Sequence, residues 1–152
     1  MATQSYIEQL ERTKRYFTRF KKINDGKLHD QSSQNYDDDV YAFFQNCYHL
    51  KDWIKNDPAC VGWSNVEDCI SRNTDLSICA DLCNALKHLA LTRPRSTENP
   101  NFAGGHITLN IADGLDISIK YKVSTSSGDM DAFQLAERCV AAWENHINAN
   151  SP

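Results

Sequence analysis

The hydrophobic pattern of the chain changes its period at His106, and this change limits the folds that the sequence can adopt. Before His106, apolar residues recur at the three- and four-residue intervals of amphipathic helices. From His106 to Ser124, apolar and polar residues alternate around Asp113-Gly114, a pair typical of tight β-turns. The helical period then returns. The pattern predicts an α+β fold, a single domain in which a mostly helical bundle of four main helices and a short one carries a β-hairpin inserted before the C-terminal helix.

Capping residues set the predicted helix boundaries. Residues 23–36 are polar and are predicted to form a loop or a mobile linker. Asp37 or Asp38 is expected to cap the second helix, and Ser64 and Glu67 have the spacing of a capping box. These signals predict helices over residues 4–22, 38–56, 64–71, 75–92 and 129–148.

The two central helices, 38–56 and 75–92, have apolar residues around much of their circumference, which is typical of helices at the centre of a fold. Their periodicity predicts which side chains meet in the interior. The expected core includes Phe43, Leu50, Leu82, Leu86 and Trp143.

The register of the hairpin follows from which side chains can be buried together. A two-residue loop would place every apolar residue opposite a polar one. A three-residue loop ending at Gly114, in the left-handed conformation that glycine tolerates, aligns the apolar residues instead. We expect Asp116, Ser118 and Lys120 to face solvent. The predicted pairs are Ile111 with Leu115, Leu109 with Ile117, and Ile107 with Ile119.

Each central helix also carries polar side chains on a separate face, with Gln45 on the first and Asp81 on the second. If the two faces met, imidazoles, carboxylates and an amide would converge, as an acid–base pair or a metal site requires. The other interpretation is that these groups are surface residues and hydrogen-bonded anchors that fix the helix register. No metal-binding motif or cofactor motif is present, so no metal or cofactor is predicted. The candidate catalytic residues are His49, Asp52, Asn84, Lys87 and His88.

A row of basic residues follows one side of the first helix. It could bind the phosphates of a nucleic acid, or an acidic partner. An ordinary solvated helix face is the favoured interpretation, because the net charge of −4 gives no general argument for nucleic acid binding. The row consists of Arg12, Arg15, Arg19 and Lys22.

The six cysteines could form a set of disulfides, but they include no CxxC pair, and Cys47, Cys79, Cys83 and Cys139 fall in the long predicted helices, which favours free, mostly buried thiols. Cys79 and Cys83 lie on neighbouring turns and could form a metal clip, but packing at the edge of the apolar face is favoured. The N-terminal segment lacks the apolar core of a signal peptide, and no apolar run is long enough to span a bilayer. The sequence therefore predicts a cytoplasmic protein with reduced thiols and no membrane contact.

Two short sequence motifs resemble segments of known proteins. His49-Leu50-Lys51-Asp52-Trp53 lies in an aromatic-rich helix, and Asn84-x-x-Lys87-His88 lies in the helix that follows. Together they resemble a pattern found in small bacterial proteins that have no settled activity. More remotely, the chain is similar to HEPN domains, a helical family that includes ribonucleases and nucleotide-handling proteins.

HEPN ribonucleases pair an Arg with a His closely spaced on one helix, whereas Arg138 and His146 are eight residues apart here. Such a pair is separated by more than two helical turns, so the resemblance concerns shape. The favoured hypothesis is a non-catalytic binding or interaction module of a bacterium, a homo-oligomer or a component of a protein complex. The alternative is a HEPN-like enzyme that acts on RNA or a nucleotide through the candidate catalytic residues.

Overall fold

A computed structural model describes residues 4–88, 93–110 and 115–152 and has the mostly helical α+β fold predicted from the sequence. In these residues, five α-helices pack with a small antiparallel sheet. No helix in the described ranges combines the length and apolarity needed to cross a lipid bilayer. The helices are α1 (Tyr6–Asp25), α2 (Ser33–Asn56), α3 (Val66–Arg72), α4 (Thr74–His88) and α5 (Ala132–Asn150), and the strands are β1 (Lys27–Leu28), β2 (Asn101–Asn110), β3 (Asp116–Thr125) and β4 (Gly128–Asp131).

The predicted loop over residues 23–36 is wrong for most of its length. It contains the end of α1, strand β1 and the first turn of α2, which begins at Ser33 and not at Asp37 or Asp38. The cause is Tyr36, whose side chain is fully buried and draws this turn into the core. The Tyr36 hydroxyl accepts hydrogen bonds from the backbone N–H groups of residues 30 and 31, at 3.0 and 3.2 Å.

The predicted capping box at the start of α3 is also wrong. Asn65 is the cap, and its Oδ1 accepts the backbone N–H groups of Glu67 and Asp68 at 2.8 and 3.3 Å. The Glu67 side chain instead pairs with basic groups outside α3. The predicted break before α4 is confirmed, because Asn73 Oδ1 accepts the N–H of Leu76 at 3.0 Å. The predicted end of α4 near Arg93 adjoins residues 89–92, which lie outside the described ranges.

The last helix starts at Ala132, three residues after the predicted start. Residues 128–131 form β4, which pairs with β3 and keeps this part of the chain extended. The helix is then capped by Asp131, whose carboxylate accepts the N–H of Gln134 at 2.9 Å.

The predicted hairpin register is confirmed where β2 and β3 are described: Leu109 pairs with Ile117 and Ile107 with Ile119. Ile111 and the loop at 112–114, with Gly114, lie outside the described residues, so the predicted pair of Ile111 with Leu115 stays a prediction. Ile117 and Ile119 are buried as predicted, but Ile107 and Leu109 remain 49% and 56% exposed. The helices pack mainly on β3, while β2 lies at the edge of the sheet. Packing therefore covers only half of the apolar hairpin face.

The predicted core is correct except at Leu86. Phe43, Leu50, Leu82 and Trp143 are almost fully buried in one cluster, whereas Leu86 is 38% exposed. The reason is position along the helix axis. Every residue of α4 from 76 to 83 is buried, and the next turn leaves the core. Helical periodicity identifies which face of a helix is buried. It does not show how far along the helix the neighbouring elements cover that face.

This difference predicts the effects of two matched substitutions on α4. Leu82→Ala removes a buried side chain and should lower the free energy of unfolding by about 2–5 kcal/mol. Leu86→Ala makes the same chemical change one turn later and should cost about 1 kcal/mol or less, because its site is partly solvated. Urea unfolding of both variants measures the difference, and equal losses would contradict the observed end of the core.

Candidate functional site

The polar residues of α2 and α4 line one cavity with a volume of about 500 Å³. Four of the five candidate catalytic residues predicted from the sequence therefore meet at one place: His49, Asp52, Asn84 and Lys87. The side chain of the fifth, His88, lies outside the described part of the structure. The lining residues are Gln45, Tyr48, His49, Lys51 and Asp52 from α2, and Cys83, Asn84 and Lys87 from α4.

The two helices supply these residues for different reasons. On α2, the residues at 45, 48, 49 and 52 follow the three- and four-residue spacing that places side chains on one stripe. On α4, Asn84 and Lys87 belong to the turn that leaves the core. Because α4 emerges there, polar side chains are tolerated on it and the groove toward α2 opens.

An ion-pair network at Glu67 lies beside the cavity. Lys51 Nζ is 3.0 Å from one carboxylate oxygen of Glu67, and the Arg95 guanidinium is 2.6 Å from the other. Lys55 adds a third cation at 3.5 Å. The Lys51 side chain is only 13% exposed, so its charge needs this partner.

The network shifts the titration of both partners. Burial alone would raise the pKa of Glu67, but hydrogen bonds and positive charge from Lys51 and Arg95 lower the pKa to about 2. Burial opposes the charge on Lys51, yet Glu67 and other nearby groups raise the pKa of its ammonium. Both groups are therefore charged across the physiological range.

Tyr48 organises the same cations from the cavity wall. Lys51 Nζ lies 5.2 Å from the centre of the Tyr48 ring, and the Arg95 guanidinium carbon lies 6.0 Å from it. These are distances at which a cation is attracted to an aromatic face. The aromatic ring thereby helps to fix the positions of both basic groups.

Asp81 is a structural anchor and does not line the cavity. It is fully buried, and its carboxylate accepts hydrogen bonds from the backbone N–H groups of Arg95 and Ser96 at 2.7 and 2.9 Å, and from the Ser96 hydroxyl. For this residue the anchor interpretation fits the geometry. Asp81 also affects the ion-pair network, because it fixes the backbone of the segment that contains Arg95.

His49 and Asp52 do not form an oriented pair. His49 is exposed, and Asp52 lies 3.3 Å from Lys51 Nζ. Among the hydrogen bonds that the described residues make, none joins His49 to Asp52. A general base usually has a partner that fixes its tautomer and orientation, and Asp52 does not fill this role for His49.

The basic row of α1 is interleaved with acidic partners. Arg12 pairs with Glu8 at 3.7 Å and lies over the Trp53 ring, while Arg19 pairs with Asp39 at 3.6 Å. Arg15 and Lys22 are exposed. The surface therefore presents less positive charge than the sequence spacing suggests.

The Arg138 and His146 side chains occupy different environments. Arg138 pairs with Asp75 at 3.1 Å on the surface. His146 is 8% exposed and packs edge-on against Trp143 and Trp63, and no described residue forms a hydrogen bond with its Nε2. Burial lowers the pKa of its imidazole.

Sequence reasoning missed the ion-pair network at Glu67. It assigned Glu67 to a capping box and Lys51 to a motif of the second helix, and Arg95 lies between the predicted helix 75–92 and the predicted hairpin. Spacing along a helix could have placed Lys51 near Asp52, but nothing in the sequence links it to a carboxylate in a later helix.

Comparisons with protein-family models, curated proteins and solved structures give no significant match for this chain. The interpretation of the site therefore depends on its geometry.

The low pKa of Glu67 predicts a pH dependence of stability. Its folded value of about 2 lies below its ordinary value of 4.5, so the carboxylate stabilises the fold above about pH 4.5 and this contribution is lost as the pH falls toward 2. Glu67→Gln should lower stability near neutral pH, because Lys51 keeps its charge without this partner. The difference from the wild type should shrink between about pH 5 and pH 3.

Urea midpoints across this pH range measure the effect. Glu137→Gln, at an exposed position on α5, is the matched control and should leave the wild-type profile nearly unchanged. A difference between Glu67→Gln and the wild type that stays constant with pH would show that the carboxylate charge is not responsible.

Proposed function

We propose that the protein is a non-catalytic binding module, and that the cavity between α2 and α4 holds an anionic, phosphate-bearing ligand of small-molecule size. The observation that supports this proposal is the charge around the cavity. Its lining carries Lys51 and Lys87 against one carboxylate, Asp52. The adjoining network adds Lys55 and Arg95 against Glu67. A chain with a net charge of −4 thus concentrates positive charge at one concave surface.

The cavity also provides hydrogen-bond donors and a suitable size. Gln45 and Asn84 contribute side-chain amides, and Lys87 contributes an ammonium group at the exposed turn of α4. A volume of about 500 Å³ falls within the usual range for small-molecule sites. Because Lys51 and Arg95 are already fixed by Glu67 and Tyr48, little side-chain ordering remains to oppose binding.

Calorimetric titration with inorganic pyrophosphate and with nucleoside monophosphates tests this proposal. We expect binding that weakens with salt. Lys87→Gln should reduce the affinity by roughly 10- to 100-fold, because a hydrogen bond to a charged group contributes about 1.5–3 kcal/mol. Lys122→Gln, an exposed position on β3, should leave the affinity unchanged.

Two results would contradict the proposal. One is the absence of saturable binding for all of these phosphates at low salt. The other is binding that Lys87→Gln leaves intact and that the triple change of Arg12, Arg15 and Arg19 to Gln removes. The second result would assign anion binding to the basic row of α1 and would favour a nucleic acid partner.

The alternative function is a HEPN-like enzyme that acts on RNA or a nucleotide. The convergence of His49, Asp52, Asn84 and Lys87 on one cavity favours it. His49→Gln separates the two functions, because a catalytic imidazole would be required for turnover but not for all of the binding. If the wild type releases phosphate or cleaves RNA and His49→Gln abolishes this activity, the protein is an enzyme and not a non-catalytic binding module.

We further infer that this cytoplasmic module self-associates through β2. This strand pairs with β3 on one side, and within the described residues no strand pairs with its other side. Ile107 and Leu109 expose about half of their surface on this same strand. An unpaired edge with apolar side chains favours the addition of another strand, and a second copy would provide one in an antiparallel arrangement.

This arrangement predicts a charge-sensitive oligomer. Ile107→Lys or Leu109→Lys should shift the protein toward the monomer in sedimentation experiments, because the lysine would be buried at the strand pair. Val61→Lys is the control, since Val61 is 82% exposed and lies outside the sheet. A wild type that is monomeric at high concentration would contradict the inference.

A further inference from the structure

Three cysteines that are far apart in the sequence meet in the core. Cys47 of α2, Cys79 of α4 and Cys139 of α5 are each at most 1% exposed. Their sulfur atoms all lie within 4.8 Å of one another. The sequence gives no sign of this convergence, because it depends on how three helices pack.

The three sulfurs are spaced for a shared ion and not for a disulfide, in which the sulfurs are about 2.05 Å apart. Three sulfurs about 2.3 Å from one centre are about 4.0 Å apart around a planar centre, and about 3.4 Å apart around the pyramidal centre that a lone pair produces. A spacing of 4.8 Å therefore needs to close by about 0.8 Å for a planar ion and by about 1.4 Å for a pyramidal one.

Two of the thiols donate hydrogen bonds to backbone carbonyl groups, whereas one polar group beside the sulfurs lacks a partner. The Cys79 and Cys139 thiols lie 3.5 and 3.4 Å from the carbonyl oxygens of Phe44 and Asp75. Among the described residues, the almost fully buried Trp143 indole N–H has no hydrogen-bond partner of regular geometry. The thiols of Cys139 and Cys79, followed by this indole, act on Cys47 and lower the pKa of its thiol. Contacts with the Cys139, Cys47 and Cys83 thiols raise the pKa of Cys79, and the contact with Cys47 raises the pKa of Cys139.

The apolar surroundings restrict the charge that the cluster can carry. The described groups that shift the pKa values of the three thiols are other thiols, the Trp143 indole and the Asp75 carboxylate. None of these is a cation. A net negative charge buried in such a place is costly. Three thiolates around Cu(I) or Zn(II) leave a negative charge, whereas three thiolates around a trivalent ion form a neutral group. Structural zinc also prefers four ligands, and the described residues bring together three.

We propose that Cys47, Cys79 and Cys139 form a binding site for a trivalent thiophilic species of the arsenite class. In the reaction, As(OH)₃ and three thiols give As(SR)₃ and three water molecules. Three As–O bonds and three S–H bonds break while three As–S and three O–H bonds form, with no change in oxidation state. The bound centre cross-links α2, α4 and α5, so it stabilises the folded chain.

This proposal is independent of the ligand proposed for the α2–α4 cavity, and its test is separate. The reduced protein is unfolded in urea and refolded without oxygen in the presence of arsenite, because the buried site must open to load. Native mass spectrometry should show one arsenic per chain with three thiol protons lost. The thermal midpoint should rise, since a ligand that prefers the folded state stabilises it.

Matched variants identify the ligands. Cys47→Ala, Cys79→Ala and Cys139→Ala should each lose the three-thiol adduct and the thermal shift. Cys60→Ala and Cys69→Ala remove cysteines outside the cluster and should retain both. If a core variant fails to fold, the proton count of the wild type still decides whether three thiols bind the arsenic.

Three outcomes would overturn the proposal. The first is a wild type that refolds without retaining arsenic. The second is a full three-thiol adduct in any variant of the cluster. The third is an adduct that consumes two thiols and disappears in Cys83→Ala, which would assign binding to neighbouring turns of α4.

Discussion

The buried carboxylate of Asp81 holds together parts of the chain that share no sequence pattern. It lies within the stretch of α4 that is enclosed on every side, where an isolated charge is costly. Two backbone N–H groups and a hydroxyl from Arg95 and Ser96 satisfy it. This fixes the segment that leads into β2. It also places the Arg95 side chain against Glu67, so the position of the ion-pair network depends on a group outside it.

The regular parts of the fold could be predicted from local pattern, because period and turn chemistry act over short distances. The order of the five helices, the position of the β2–β3 hairpin and the pairing of Ile107 with Ile119 follow from such signals, whereas β1 and β4 do not. The errors share a different cause. Tyr36 extends α2 through its burial, and Leu86 is exposed because the neighbouring elements end before it. Both differences depend on tertiary packing, which cannot be deduced from a short segment of sequence.

The candidate site also has features that local spacing predicts and features that depend on tertiary packing. Helical spacing predicted that polar groups of α2 and α4 face a common space, and His49, Asp52, Asn84 and Lys87 do line one cavity. Spacing could not predict that Glu67 and Arg95 would hold Lys51 beside it, because those contacts join segments far apart in the chain. The cysteine cluster belongs to this second class. Single buried thiols are ordinary, and only the packing of three helices makes them a group.

The burial of Tyr36 also determines how the connection between α1 and α2 behaves. Its hydroxyl accepts hydrogen bonds from two successive backbone amides of a short polar segment, so this segment is a fixed corner and not a tether. Such a corner couples the end of one helix to the start of the next at a defined angle. Evolution can therefore change the polar side chains at residues 31–34 more freely than the number of residues between the helices, since one extra residue would separate the hydroxyl from the amides it joins.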